Sequence, residues 1–172
     1  MFEIGAQITG GLAGGALVKK LAYGVHTTTP GCFLPAAGTP QDVVFGHETL
    51  STFLLVITVL STAVDESGNA RFAVVAPLAI GMSLFVAASS SGYYTGGSLN
   101  PARFIGANAT GNCGSEKWKY AGSYIGGELL GAVLATFLHW LREIVRQVYC
   151  VRAGKTKSTV LGSRGQIAPY NL

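Results

Sequence analysis

At 172 residues and a formal net charge of +4, the chain is long enough for one domain, yet only 12% of its residues are charged and its mean hydropathy is +0.41. That composition is too apolar for an ordinary water-soluble domain and makes the lipid bilayer its natural solvent. Its 24 glycines follow no collagen-like period and imply close helix–helix packing, while basic residues gathered after the last apolar run argue against a nucleic-acid surface.

The first apolar stretch runs from Met1 to about Tyr23 and is closed by Lys19 and Lys20. At about 1.5 Å per residue it nearly crosses the hydrocarbon layer. Two GxxxG pairs, Gly10/Gly14 and Gly11/Gly15, prepare it for close approach by a neighbouring backbone. No basic region precedes it, which argues against a secretory signal. From His26 to Asp42 the prolines, threonines and glycines predict an exposed loop. A second span is predicted from about Val43 to Val64, ended by a polar turn over Asp65–Asn69, and a third from about Phe72 to Ser91.

Beyond the third span lies Gly96-Gly97-Ser98-Leu99-Asn100-Pro101-Ala102-Arg103. Asn100 is a preferred N-cap and Pro101 suits the first helical position, so a helix too short to cross a membrane is expected to begin here. Irregular backbone at membrane depth is tolerated only where it is buried in protein or lines a cavity. The Asn100 amide, the fixed charge of Arg103 and the positive end of the helix would together attract a neutral dipolar solute and repel cations. A polar stretch over Asn108–Lys119 follows, then a last span from near Tyr120 through Leu138 that continues as an amphipathic tail past Trp140. Six arginines and lysines from Arg142 to Arg164 place the tail in the cytoplasm by the positive-inside tendency.

The chain also repeats itself. Ile8-Thr9-Gly10-Gly11-Leu12-Ala13-Gly14-Gly15-Ala16 aligns with Tyr124-Ile125-Gly126-Gly127-Glu128-Leu129-Leu130-Gly131-Ala132. If the last span closes a unit of three spans and a half-helix, the first span closes an earlier copy. The expectation is one complete repeat and the final helix of its partner, with two helices and a first half-helix lacking.

Other polar residues carry weaker expectations. Glu48 and Glu128 fall within spans, where a carboxylate needs a partner; for Glu128 a neighbouring chain's arginine or lipid is expected, ahead of a pore role. His47 and His139 match no metal-ligand spacing, no catalytic triad is present, and no cofactor is implied. Cys32 and Cys113 fall in loops on the same outer side, where they are free to pair, whereas Cys150 faces the cytosol. Asn108-Ala109-Thr110 is a glycosylation sequon on that outer side, and the tail over Lys155–Thr159 offers basic residues and hydroxyls for lipid or phosphate.

With these elements in hand, the chain resembles the aquaporin or major intrinsic protein family. The likeness rests on Thr95 to Arg103, with Ala76-Pro77-Leu78-Ala79-Ile80-Gly81, Ala6-Gln7 with Gly10, Glu48, and Gly126 with Gly131-Ala132, and it covers most of Met1 to about Leu141. It implies an all-α, aquaporin-like bundle with four spanning helices and one re-entrant half-helix, tetrameric assembly, and passive passage of water or small neutral solutes. Asn100, Pro101 and Ala102 match the second pore motif and Arg103 its constriction arginine. Gly97 and Ala88 match two further constriction positions that are small here, which implies a wide opening of the glycerol, urea or metalloid kind. Glu48 matches a residue that holds the pore loop. The family usually continues Arg-Ser-Phe-Gly-Pro, where this chain has Arg103-Phe104-Ile105-Gly106-Ala107. The domain reading is a partial membrane domain over 1–150 and a basic tail over 151–172. A non-conducting structural subunit, or a fragment of a channel, is the alternative function.

Overall fold

The computed structural model describes residues 2–22, 31–64, 74–111 and 113–152. The turn over Asp65–Asn69, the side chain of Cys150 and the tail beyond Arg152 lie outside the described residues. The described residues form helices α1 (Phe2–Leu21), α2 (Gln41–Val59, continued by a π-helical turn over Leu60–Val64), α3 (Ala76–Thr95), α4 (Pro101–Thr110) and α5 (Ala121–Arg152), with a 3₁₀ turn at Ser115–Trp118. Two compact units divide the chain, Met1–Thr136 and Phe137–Leu172. In the second, Glu143 pairs with Arg142 and Arg146, and Phe137 packs against Trp140.

The first unit is built inside out relative to a soluble protein. Buried positions include Glu48, Ser51, Thr52, Ser83, Ser91, Thr95, Ser98, Asn108 and Glu128, while Leu78, Phe85, Val86, Leu129 and Val133 are at least half exposed. Water would penalise such an exterior; hydrocarbon does not, and in lipid the polar groups turn inward. Two segments, Gln41–Val64 and Ser115–Tyr149, are long and apolar enough to cross a bilayer by themselves. Helices α1 and α3 have 20 residues each, about 30 Å.

The third helix runs from Ala76 to Thr95, later than the 72–91 expected from sequence. Its serine-rich end remains helical because Ser90 and Ser91 each donate their hydroxyl to the Ala87 carbonyl, which satisfies them inside the helix. Gly96, at φ 78°, then stops it and donates its N–H to the Gly92 carbonyl. Helix α1 lies against α4 with no room to spare. A Cβ on Gly11 would collide with Ala102 and one on Gly15 would stand 2.6 Å from the Gly106 carbonyl oxygen. Gly10 and Gly14 have open space instead. A small aromatic core of Phe33, Val44, Phe104 and Tyr124 backs the half-helix.

Candidate pore site

The half-helix begins where Asn100 and Pro101 predict. Asn100 Oδ1 accepts the N–H groups of Ala102 (2.8 Å) and Arg103 (3.3 Å), and its side-chain orientation follows from those bonds. The helix then continues to Thr110 through the segment that departs from the family pattern. Phe104 accounts for that continuity, since it is fully buried and stacks on Tyr124 at 4.6 Å.

The loop ahead of α4 is held by two acids from different helices. Buried Glu48, on α2, accepts the Ser98 N–H (3.1 Å), the Leu99 N–H (2.8 Å) and the Thr95 hydroxyl (2.6 Å). Glu128, on α5, accepts the Asn100 N–H at 3.0 Å. This corrects the expectation that Glu128 faces lipid or a neighbouring chain: it is 1% exposed and turned toward the loop. The physical reason is that three successive amides leave regular structure here and need acceptors away from water. Tyr124 completes the clamp by donating its hydroxyl to the Thr95 carbonyl at 2.7 Å.

Arg103 is fixed as well. Its Nη1 donates to the carbonyls of Gly97 (2.8 Å) and Ser98 (3.1 Å), and the guanidinium lies 4.8 Å from the Phe33 ring centre. Phe33 in turn is pinned by Asn108, whose Oδ1 accepts the Phe33 N–H and whose Nδ2 donates to the carbonyls of Phe33 and Lys117. Asn108, the asparagine of the sequon, therefore ties loops together: it is fully buried and its amide nitrogen is already engaged. A disulfide joins Cys32 to Cys113 beside it, closing the same junction covalently.

A cavity of about 610 Å³ opens beside the line of contact between α1 and α4. Gly11, Gly14 and Gly15 form one wall, and Asn100, Ala102 and Arg103 form the other. Gly97 and Ala88 were expected at the constriction, but neither is in this lining. Gly97 is buried against α3, where a Cβ would stand 3.0 Å from Ala88 Cα and 3.1 Å from Ser91 Oγ, so packing demands its size. Gly96 lines the cavity instead. Phe33 and Gln7 also line it; Phe33 was not singled out from sequence, because nothing near Cys32 announces that its ring will lie under Arg103.

A half-helix clamped by buried acids, among helices with apolar exteriors and polar interiors, defines an all-α membrane protein. The family model described as Major intrinsic protein matches residues 1–139, and the chain belongs to that family. Similar proteins include Aquaporin A of Dictyostelium discoideum, 30% identical over 139 residues, covering 81% of this chain and 48% of the relative. Probable aquaporin PIP1-2 of Oryza sativa subsp. japonica is 34% identical, covering 81% and 49%, and Aquaporin-2 of Botryotinia fuckeliana (strain B05.10) is 38% identical, covering 76% and 32%. The chain thus spans about half the length, or less, of the curated relatives it matches.

Proposed function

We propose that the chain forms part of a passive channel for water and small uncharged solutes, working as an integral membrane protein with its C-terminal tail in the cytoplasm. What carries this reading is the convergence on one cavity of the α4 N-terminus, Asn100 and the anchored Arg103. Partial positive charge from the helix end adds to the full charge of Arg103, so a cation meets repulsion where a neutral dipole finds hydrogen bonds. Gly96 on the loop and the glycines of α1 leave the passage wide, which favours polyol-, urea- or metalloid-sized solutes alongside water. A second half-helix is needed to face α4 across a closed pore. In this reading it comes from a further segment or a neighbouring chain, within a tetrameric assembly. Members of the family are channels, not enzymes, and no catalytic step is assigned.

The test is solute flux into vesicles carrying the assembly as isolated from its own membrane. Water and glycerol enter faster than into bare lipid, without cation leak, and Arg103→Ala lets cations pass. Flux no greater than that of bare lipid would overturn the reading in favour of a structural subunit.

A further inference from the structure

We propose that Glu128 is a positioning residue: by holding the Asn100 N–H it aims the Asn100 side-chain amide into the cavity and so sets how well hydrogen-bonding solutes pass. This rests on the channel reading above, and begins from which atoms of Asn100 are engaged. Oδ1 accepts from Ala102 and Arg103, and the carbonyl accepts from Phe104 N–H (3.0 Å) and the Ser98 hydroxyl (3.3 Å). The N–H goes to Glu128. Among the described residues only Nδ2 is left without a partner, on a residue that lines the cavity. The direction of that nitrogen is thus set by the bonds on the residue's other three polar groups.

The backbone next to it is under strain. Leu99 is buried and sits at φ 57°, a left-handed conformation that a residue with a side chain rarely adopts. An unheld Asn100 amide would let residue 99 relax and rotate Asn100 away. Glu48 secures the two amides before this point, and among the described residues only Glu128 accepts from the third. A purely space-filling role explains Glu128 poorly. Burying a carboxyl is costly unless its oxygens are used, and this one is turned onto the Asn100 N–H, whereas an apolar residue would fill the space at less cost if filling were its only role. The aligned place in α1 is filled in that way, by Leu12.

The experiment compares the parent assembly with Glu128→Gln and Glu128→Leu, reading hydrogen exchange at the Asn100 amide and water and glycerol flux per protein in vesicles. The Gln variant keeps an acceptor oxygen and behaves as the parent. The Leu variant exchanges faster at Asn100 and conducts about tenfold less, the effect of one lost hydrogen bond of about 1.4 kcal/mol, while the Cys32–Cys113 bridge still forms. Should Leu prevent folding, Glu128→Asp keeps the acid but withdraws its oxygen, and it too exchanges faster and conducts less. Parent-like exchange or flux per protein in a folded Leu or Asp variant overturns the proposal. A parent that conducts nothing overturns the channel reading and the solute half of this proposal with it, while the exchange comparison still decides whether Glu128 holds Asn100.

Discussion

Helices α1 and α5 carry aligned glycine pairs, Gly11/Gly15 and Gly127/Gly131, and spend them on different neighbours. In α1 the pair meets the half-helix, at Ala102 and Gly106. In α5 it meets α2, where a Cβ on Gly127 would stand 2.6 Å from the Phe45 carbonyl oxygen and one on Gly131 2.9 Å from the Phe53 nitrogen. The residue following the first glycine differs accordingly. Leu12 is partly exposed, whereas Glu128 is buried and reaches the pore loop. A small-residue motif therefore sets how closely backbones approach, and the residue beside it decides whether the helix walls a cavity or anchors its lining.

The sharpest way to break this comparison is to fill both sites. Gly131→Leu pushes α5 off a backbone that cannot yield and costs at least about 3 kcal/mol of stability, seen as loss of monodisperse protein and a lowered unfolding temperature in detergent. Gly15→Leu meets the Thr110 hydroxyl, which can give way, as well as backbone, and costs less. If Gly15 proves the more sensitive, the anchoring and walling roles are reversed.

Next in size is the junction that seats α4. Replacing Cys32 and Cys113 with serine removes about 2–4 kcal/mol, and Asn108→Ala, which strips three hydrogen bonds, two of them buried, costs roughly 2 kcal/mol or more. In both variants hydrogen exchange rises in α4 and around Phe33 but not in α2. Equal loosening of α2 would show that the two pairings are not independent. Glycosidase treatment leaves the mass of the parent chain unchanged, because Asn108 is enclosed.

The smallest effect separates the two registers of α1. Gly11→Ala destabilises by roughly 1 kcal/mol or more through contact with Ala102, while Gly10→Ala, facing open space, stays within about 0.5 kcal/mol of the parent. Paired unfolding curves read the difference directly.

Much of the site is legible in the sequence. Asn100 and Pro101 marked the start of the half-helix because capping chemistry is local, and the apolar runs marked the spans because the bilayer imposes their length. The end of α3 was misjudged because serines that look like a polar break can bond back to their own helix, as Ser90 and Ser91 do. The partner of Glu128 is not legible in the sequence, because period and hydropathy place an acid on a helix without saying what faces it. Neither could Phe33 be found, since it meets Arg103 only through contacts 70 residues apart in sequence.

The sequence by itself determined the solvent, the half-helix and the family, since each depends on residues adjacent in the chain or on bulk composition. Tertiary structure decided which glycines touch, where Asn108 is buried, and that acids from α2 and α5 share the amides of one loop. Those outcomes depend on distances between segments far apart in the chain, and the free energy of a buried amide is settled only by the acceptor that packing brings to it.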